Sequence, residues 1–115
     1  MKKYITFENM KLPIEIESNI ENLIKLCDKH KVIRLFIFGS VVKGNFNSKT
    51  SDVDLIAEIE DLPPEEKGEI IMQLWSELEN LFARKVDLIT NLNFKNPILK
   101  REIENSKFLI YDRAS

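Results

Sequence analysis

Two short patterns in this chain bring phosphate donors and metal ligands into one stretch. Gly39-Ser40 closes the apolar run Leu35-Phe36-Ile37-Phe38, and Asp52-Val53-Asp54 opens the next. A glycine-serine turn offers backbone N–H groups and a hydroxyl to phosphate oxygens, and glycine lets the backbone approach them closely. Side chains alternate along a strand, so Asp52 and Asp54 face one way while Val53, Leu55 and Ala57 face the other. Two carboxylates on one face repel each other, and a divalent cation removes that cost. Phosphate donors beside magnesium ligands point to a nucleoside triphosphate site.

A third acid strengthens the pattern. Asp87 sits inside the apolar run Lys85-Val86-Asp87-Leu88-Ile89, where an unpaired carboxylate would be costly. Arg84 or Lys85 could satisfy it as an ion pair. With Asp52 and Asp54 present, a cluster of three carboxylates is the favoured alternative, and three acids on neighbouring strands suit two magnesium ions better than one. Lys43 adds a point charge for the triphosphate, and Gly44 serves the turn.

Each of these features also has a plainer explanation. Asp-x-Asp at a strand entrance is common solvated loop chemistry, Gly-Ser occurs in many turns, and an exposed lysine is ordinary. The remaining polar and aromatic residues stay with the plain explanation. His30 falls at a helix end, where a capping or dipole role is commoner than catalysis. Cys27 and Trp75 lie on apolar helical stripes and are read as core, and Tyr4 and Tyr111 as surface hydroxyls.

The elements that must hold these residues follow from periodicity. Ile16, Ile20, Leu23, Ile24 and Cys27 predict a helix from Pro13 to His30, with Ser18 and Glu21 at capping-box spacing. Val32 to Phe38 predicts a buried strand, Val41 to Gly44 a short helical turn, and Asn45 to Ser51 a polar loop. Val53 to Ile59 predicts the second strand. Pro63-Pro64-Glu65-Glu66 starts a helix that runs to about Ala83. Lys85 to Thr90 is a third strand, Asn96-Pro97 starts a further helix carrying Leu99 and Ile103, and Phe108 to Tyr111 is a fourth strand. The alternation predicts an α/β (α+β) domain with a small mixed sheet flanked by helices. Residues 1–115 read as one domain, with 1–12 as an extended arm.

Composition narrows the class. The chain has 115 residues, 43% hydrophobic and 31% charged, which suits an ordinary globular core. A net charge of −2 gives no electrostatic reason to expect nucleic acid. One cysteine excludes an intrachain disulfide, and no apolar run approaches a membrane span or a signal peptide. The expectation is a cytoplasmic protein without nucleic-acid or membrane partners.

With Phe38-Gly39-Ser40, Gly44, Ser51-Asp52-Val53-Asp54-Leu55 and Val86-Asp87-Leu88 in order, the sequence resembles the minimal nucleotidyltransferases (MNT proteins) of the polymerase-beta-like superfamily, from about Ile20 to Tyr111. The resemblance implies that Gly39 and Ser40 hold the β- and γ-phosphates of ATP and that Asp52, Asp54 and Asp87 ligate magnesium. Many members are antitoxins of helical HEPN-domain toxins, and some transfer AMP from ATP to a tyrosine of the toxin. That activity is the leading expectation here. A catalytically idle antitoxin acting by contact is the alternative, and an aminoglycoside-type transferase, needing a homo-oligomer or partner to enclose its acceptor, comes third. Two features depart from the family: Lys43 replaces an arginine, keeping charge but losing bidentate phosphate geometry, and the loop before Asp52 is slightly longer.

Overall fold

Apolar alternation along the strands decides which side of the sheet carries the helices. A computed structural model describes residues 12–44, 46–47, 51–91 and 96–114. Its elements are α1 (Ile14–Glu17), α2 (Ile20–Lys29), β1 (Val32–Phe38), α3 (Ser40–Lys43), β2 (Val53–Ile59), α4 (Pro64–Phe82), β3 (Val86–Ile89), α5 (Pro97–Ser106) and β4 (Phe108–Asp112). The strands form one mixed sheet in the order β3-β2-β1-β4. β1 pairs antiparallel with β2 and β4, while β2 and β3 run parallel, joined by the crossover helix α4. The α/β class expected from the sequence is the one observed. Of the predicted arm, Leu12 is buried, and residues 1–11 lie outside the described residues, Tyr4 among them.

The helix predicted from Pro13 to His30 is two helices. Ser18 Oγ donates to the Ile14 carbonyl at 2.6 Å and Asn19 Nδ2 to that of Glu15 at 2.8 Å. These side chains compete with the helical ladder for backbone acceptors, and the chain breaks there. The capping box is therefore not formed; Asn19 is the N-cap of α2 and makes no side-chain capping bond.

Leu23 and Cys27 of α2 and Leu74, Leu78 and Phe82 of α4 pack with Leu35, Ile37, Val53, Leu55, Ala57, Val86 and Leu88 into one core. Helices α2 and α4 thus cover one face of the sheet. The other face carries Phe36, Phe38, Asp54, Ile56, Glu58 and Asp87 by strand alternation, with Ile56 itself buried. Two bulges adjust the register. One lies between Val32 and Arg34 against β2, the other opposite Leu35 and Phe36 against β4. The second lets consecutive Ile110 and Tyr111 both be buried.

Tyr111 corrects the expectation of a surface hydroxyl: it is 1% exposed, and its hydroxyl donates to Asp28 Oδ1 at 2.5 Å. Trp75 corrects another. It is 38% exposed rather than core, and its indole Nε1 donates to the Val86 carbonyl at 2.7 Å. Glu79 Oε2 accepts from the Val86 N–H at 3.1 Å, so α4 satisfies both backbone groups of that edge-strand residue. Cys27 is core as expected, and burial pushes its thiol well above the usual range. His30 does end α2, but its ring is buried and meets Glu77 of α4, which also accepts from Lys29 Nζ at 2.9 Å.

At the exit of β1 the chain turns at Gly39, with φ 74° and ψ −141°, a conformation nearly reserved for glycine. A Cβ there would overlap Asp54 Oδ2 and lie 3.0 Å from its Cγ. Gly44, at φ 79° and ψ 12°, closes α3 in open space.

Glu77→Ala should destabilise by about 1–3 kcal/mol, because it leaves the buried His30 ring without its partner, whereas exposed Lys29→Ala should cost about 0.5 kcal/mol or less; urea unfolding compares them. The Lys29 hydrogen bond and then His30 hold the Glu77 carboxyl below its usual value. Its contribution is complete above the ordinary carboxylate pKa and is lost as pH falls through the lowered one, so wild type should lose stability into acid more steeply than Glu77→Gln. Gly39→Ala should cost at least about 1–3 kcal/mol from backbone strain alone, against about 1 kcal/mol for Gly44→Ala. Equal unfolding midpoints for the two alanine variants would contradict the packing of Gly39 on Asp54.

Candidate active site

Strand register assembles the site on the face that the two long core helices leave uncovered. Phe38 pairs with Asp54 across β1 and β2, which sets the next residue, Gly39, against the Asp54 carboxylate. Asp54 pairs with Asp87 across β2 and β3, close enough for Asp87 to raise the Asp54 carboxyl's pKa. Asp52 precedes β2 by one residue and acts on Asp54 through its charge. Lys43, at the end of α3, exerts the opposite pull, and its Nζ lies 4.0 Å from Glu102 Oε1 of α5. Ser40 opens α3 immediately after Gly39, and the Lys43 N–H donates to the Gly39 carbonyl at 3.0 Å. The six candidate site residues, Gly39, Ser40, Lys43, Asp52, Asp54 and Asp87, thus sit at one end of the sheet.

Burial, then the Asp87 hydrogen bond, then the charges of Asp87 and Asp52, push the Asp54 carboxyl up to about 6, with Lys43 opposing. Crowded carboxylates of this kind favour a cation. Magnesium takes oxygen ligands and commonly binds through one or two carboxylates, with water and substrate phosphates completing its shell. The donor chemistry fits that ion. Among the described residues, no three His, Cys, Asp or Glu side chains form a ready ligand group. The acids therefore supply a partial shell that phosphate oxygens would complete.

Asp87 sits differently from the expectation. Its side chain is exposed while Val86 and Leu88 are buried, because β3 is an edge strand with one uncovered face. Burial cost does not explain Asp87. Its neighbour across the strand pair does. Gly39 also gains a reason beyond phosphate approach, since only a residue without Cβ fits beside Asp54.

Sequence reasoning missed the residues that hold these strands in place. Trp75 and Glu79 grip Val86, the residue before Asp87. Arg84, which the sequence offers as a partner for Asp87, reaches the chain on either side of the loop before β2: Nη1 donates to the Ser51 carbonyl at 3.3 Å, and the guanidinium lies 5.0 Å from the Phe46 ring centroid. An arginine in an Ala-Arg-Lys-Val context gives no local sign of such reach.

The chain is 36% identical over 86 residues to Putative protein adenylyltransferase MJ1379 of Methanocaldococcus jannaschii, covering 75% of this chain and 82% of that protein. A second protein of that organism, Putative protein adenylyltransferase MJ0126, is 38% identical over 87 residues, covering 76% and 83%. A solved structure of a putative minimal nucleotidyltransferase superposes with a TM-score of 0.66 at 25% identity, over 88% of this chain and 97% of that one. The fold is also that of a chain in the complex of a tri-AMPylated Shewanella oneidensis HEPN toxin with its MNT antitoxin, with a TM-score of 0.53 at 20% identity over 85% and 73%. The family model described as polymerase beta, nucleotidyltransferase matches residues 21–115, and the chain therefore belongs to the polymerase beta nucleotidyltransferases, in their minimal form.

Proposed function

We propose that this chain is a magnesium-dependent transferase that moves AMP from ATP to a hydroxyl on a partner protein, serving as antitoxin to a HEPN-domain toxin. The observation that carries the chemistry is the Gly39 turn packed on Asp54, with Asp87 paired beside it across β2 and β3. Support for a protein acceptor comes from the relatives named as protein adenylyltransferases. The fold shared with an MNT antitoxin complexed with its AMPylated toxin motivates the choice of partner.

In this reading Asp52, Asp54 and Asp87 hold magnesium, which when bound neutralises triphosphate charge and polarises the reacting oxygens. The Gly39-Ser40 backbone and the Ser40 hydroxyl donate to the β- and γ-phosphates. Lys43 balances the charge of the departing pyrophosphate. Asp87, exposed at the sheet edge, accepts the proton of the acceptor hydroxyl. The hydroxyl oxygen bonds to the α-phosphorus as the bond to the bridging oxygen breaks, and pyrophosphate leaves.

The test is incubation of the purified protein with α-labelled ATP and magnesium, with and without a HEPN-domain protein encoded beside it. Label should appear on the partner, vanish with chelator and return with added magnesium. Asp52→Ala and Asp54→Asn should each lower labelling by about 10²-fold or more, and Asp87→Asn by about 10²–10⁴-fold, all with near-normal melting. Wild-type labelling by Asp54→Asn would overturn the assignment. A stable complex without label would instead favour an antitoxin acting by contact.

A further inference from the structure

Among the described residues, the Arg84 side chain ties both ends of the loop between the phosphate turn and the acid pair. Phe46 lies just beyond Gly44 and Ser51 just before Asp52, and both meet the guanidinium of Arg84. The loop ends are also bonded to each other. The Asn47 N–H donates to Ser51 Oγ at 2.8 Å, and the Ser51 N–H donates to the Asn47 carbonyl at 2.9 Å. Arg84 reaches this position because Ala83 closes α4 in the left-handed region, at φ 53° and ψ 41°, which turns the chain back into β3. One residue later the Lys85 carbonyl accepts from the Val53 N–H at 3.1 Å. Asp52 thus stands between two ties from one short segment: the Arg84 side chain to the Ser51 carbonyl before it, and the Lys85 carbonyl to the Val53 N–H after it.

We infer that Arg84 is a positioning residue for Asp52, holding that carboxylate in register with Asp54 through the Ser51 carbonyl and the Phe46 ring. This rests on the reading of Asp52 as a magnesium ligand. Asp52 lies outside the ladder of β2, which begins at Val53, so β-pairing alone does not orient it. A planar guanidinium can donate to a carbonyl and stack on an aromatic ring at the same time. A lysine can do the first but lacks the planar surface for the second. Removing a group that orients a metal ligand typically costs about 10–100-fold in metal affinity.

The experiment uses the full chain and manganese as the probe, with free Mn2+ followed by electron paramagnetic resonance and melting by circular dichroism. Arg84→Ala should melt close to wild type yet bind Mn2+ about 10-fold more weakly, the low end of the loss seen when a ligand's orienting partner is removed. Arg84→Lys should fall between the two. Amide exchange by NMR should quicken at Ser51 in Arg84→Ala while Leu55, inside β2, is unchanged; a purely structural role would speed both together. If Arg84→Ala does not fold, Phe46→Leu, which removes only the stacking surface, decides: weaker Mn2+ binding supports the inference and wild-type binding overturns it. Wild-type Mn2+ affinity in a folded Arg84→Ala, with Asp52→Ala weakened, overturns the role of Arg84 alone. Wild-type affinity in Asp52→Ala overturns the metal reading beneath it.

Discussion

Confinement of the Asp54 carboxylate, partly buried beside two further acids on one sheet face, is the constraint to which the other features of the site respond. Asp54 is pressed between the Gly39 turn and Asp87, within reach of the Asp52 charge, and its carboxyl is pushed up to about 6. Such a grouping is unfavourable by itself, and a folded chain keeps it only where the surrounding structure imposes it. Here the imposition comes from strand pairing: Phe38 opposite Asp54 on one side and Asp87 opposite Asp54 on the other. The same crowding requires glycine at position 39, since a side chain there would meet the Asp54 carboxylate.

The division of the sheet into two unlike faces makes this arrangement tolerable. One face is sealed by α2 and α4 over a continuous apolar core. The other is left open enough for acids to remain partly hydrated. Because β2 lies inside the sheet and β3 at its edge, Asp54 loses more water than Asp87, which is why burial is the first cause of the Asp54 shift. Helix α4 does more than cover the core. Trp75 and Glu79 occupy both backbone groups of Val86, so the edge strand that carries Asp87 is held in place from the helix side.

Where local reading failed, the cause was competition from a partner distant in sequence or from a neighbouring polar side chain. Trp75 fits the apolar stripe of α4, yet its indole N–H is drawn to the edge-strand carbonyl, which leaves the ring partly in solvent. Tyr111 looks like a terminal surface residue, but a bulge in β4 buries it beside Asp28. Ser18 and Glu21 have the spacing of a capping box, but Ser18 bonds backward to Ile14 and ends α1 instead.

By itself the sequence determined the order of helices and strands, the apolar face of each strand and the identity of the acids, because these depend on periods of two and three to four residues and on side-chain chemistry. It carried the Gly-Ser and Asp-x-Asp patterns for the same reason: their parts are neighbours in the chain. Only the tertiary structure decided that β2 lies between β1 and β3 and that Asp87 faces Asp54. It alone decided that Gly39 must lack a side chain because of an acid on another strand, and that Arg84 reaches the loop before Asp52. Each of those depends on strand pairing and packing between residues far apart in sequence, which no local period encodes.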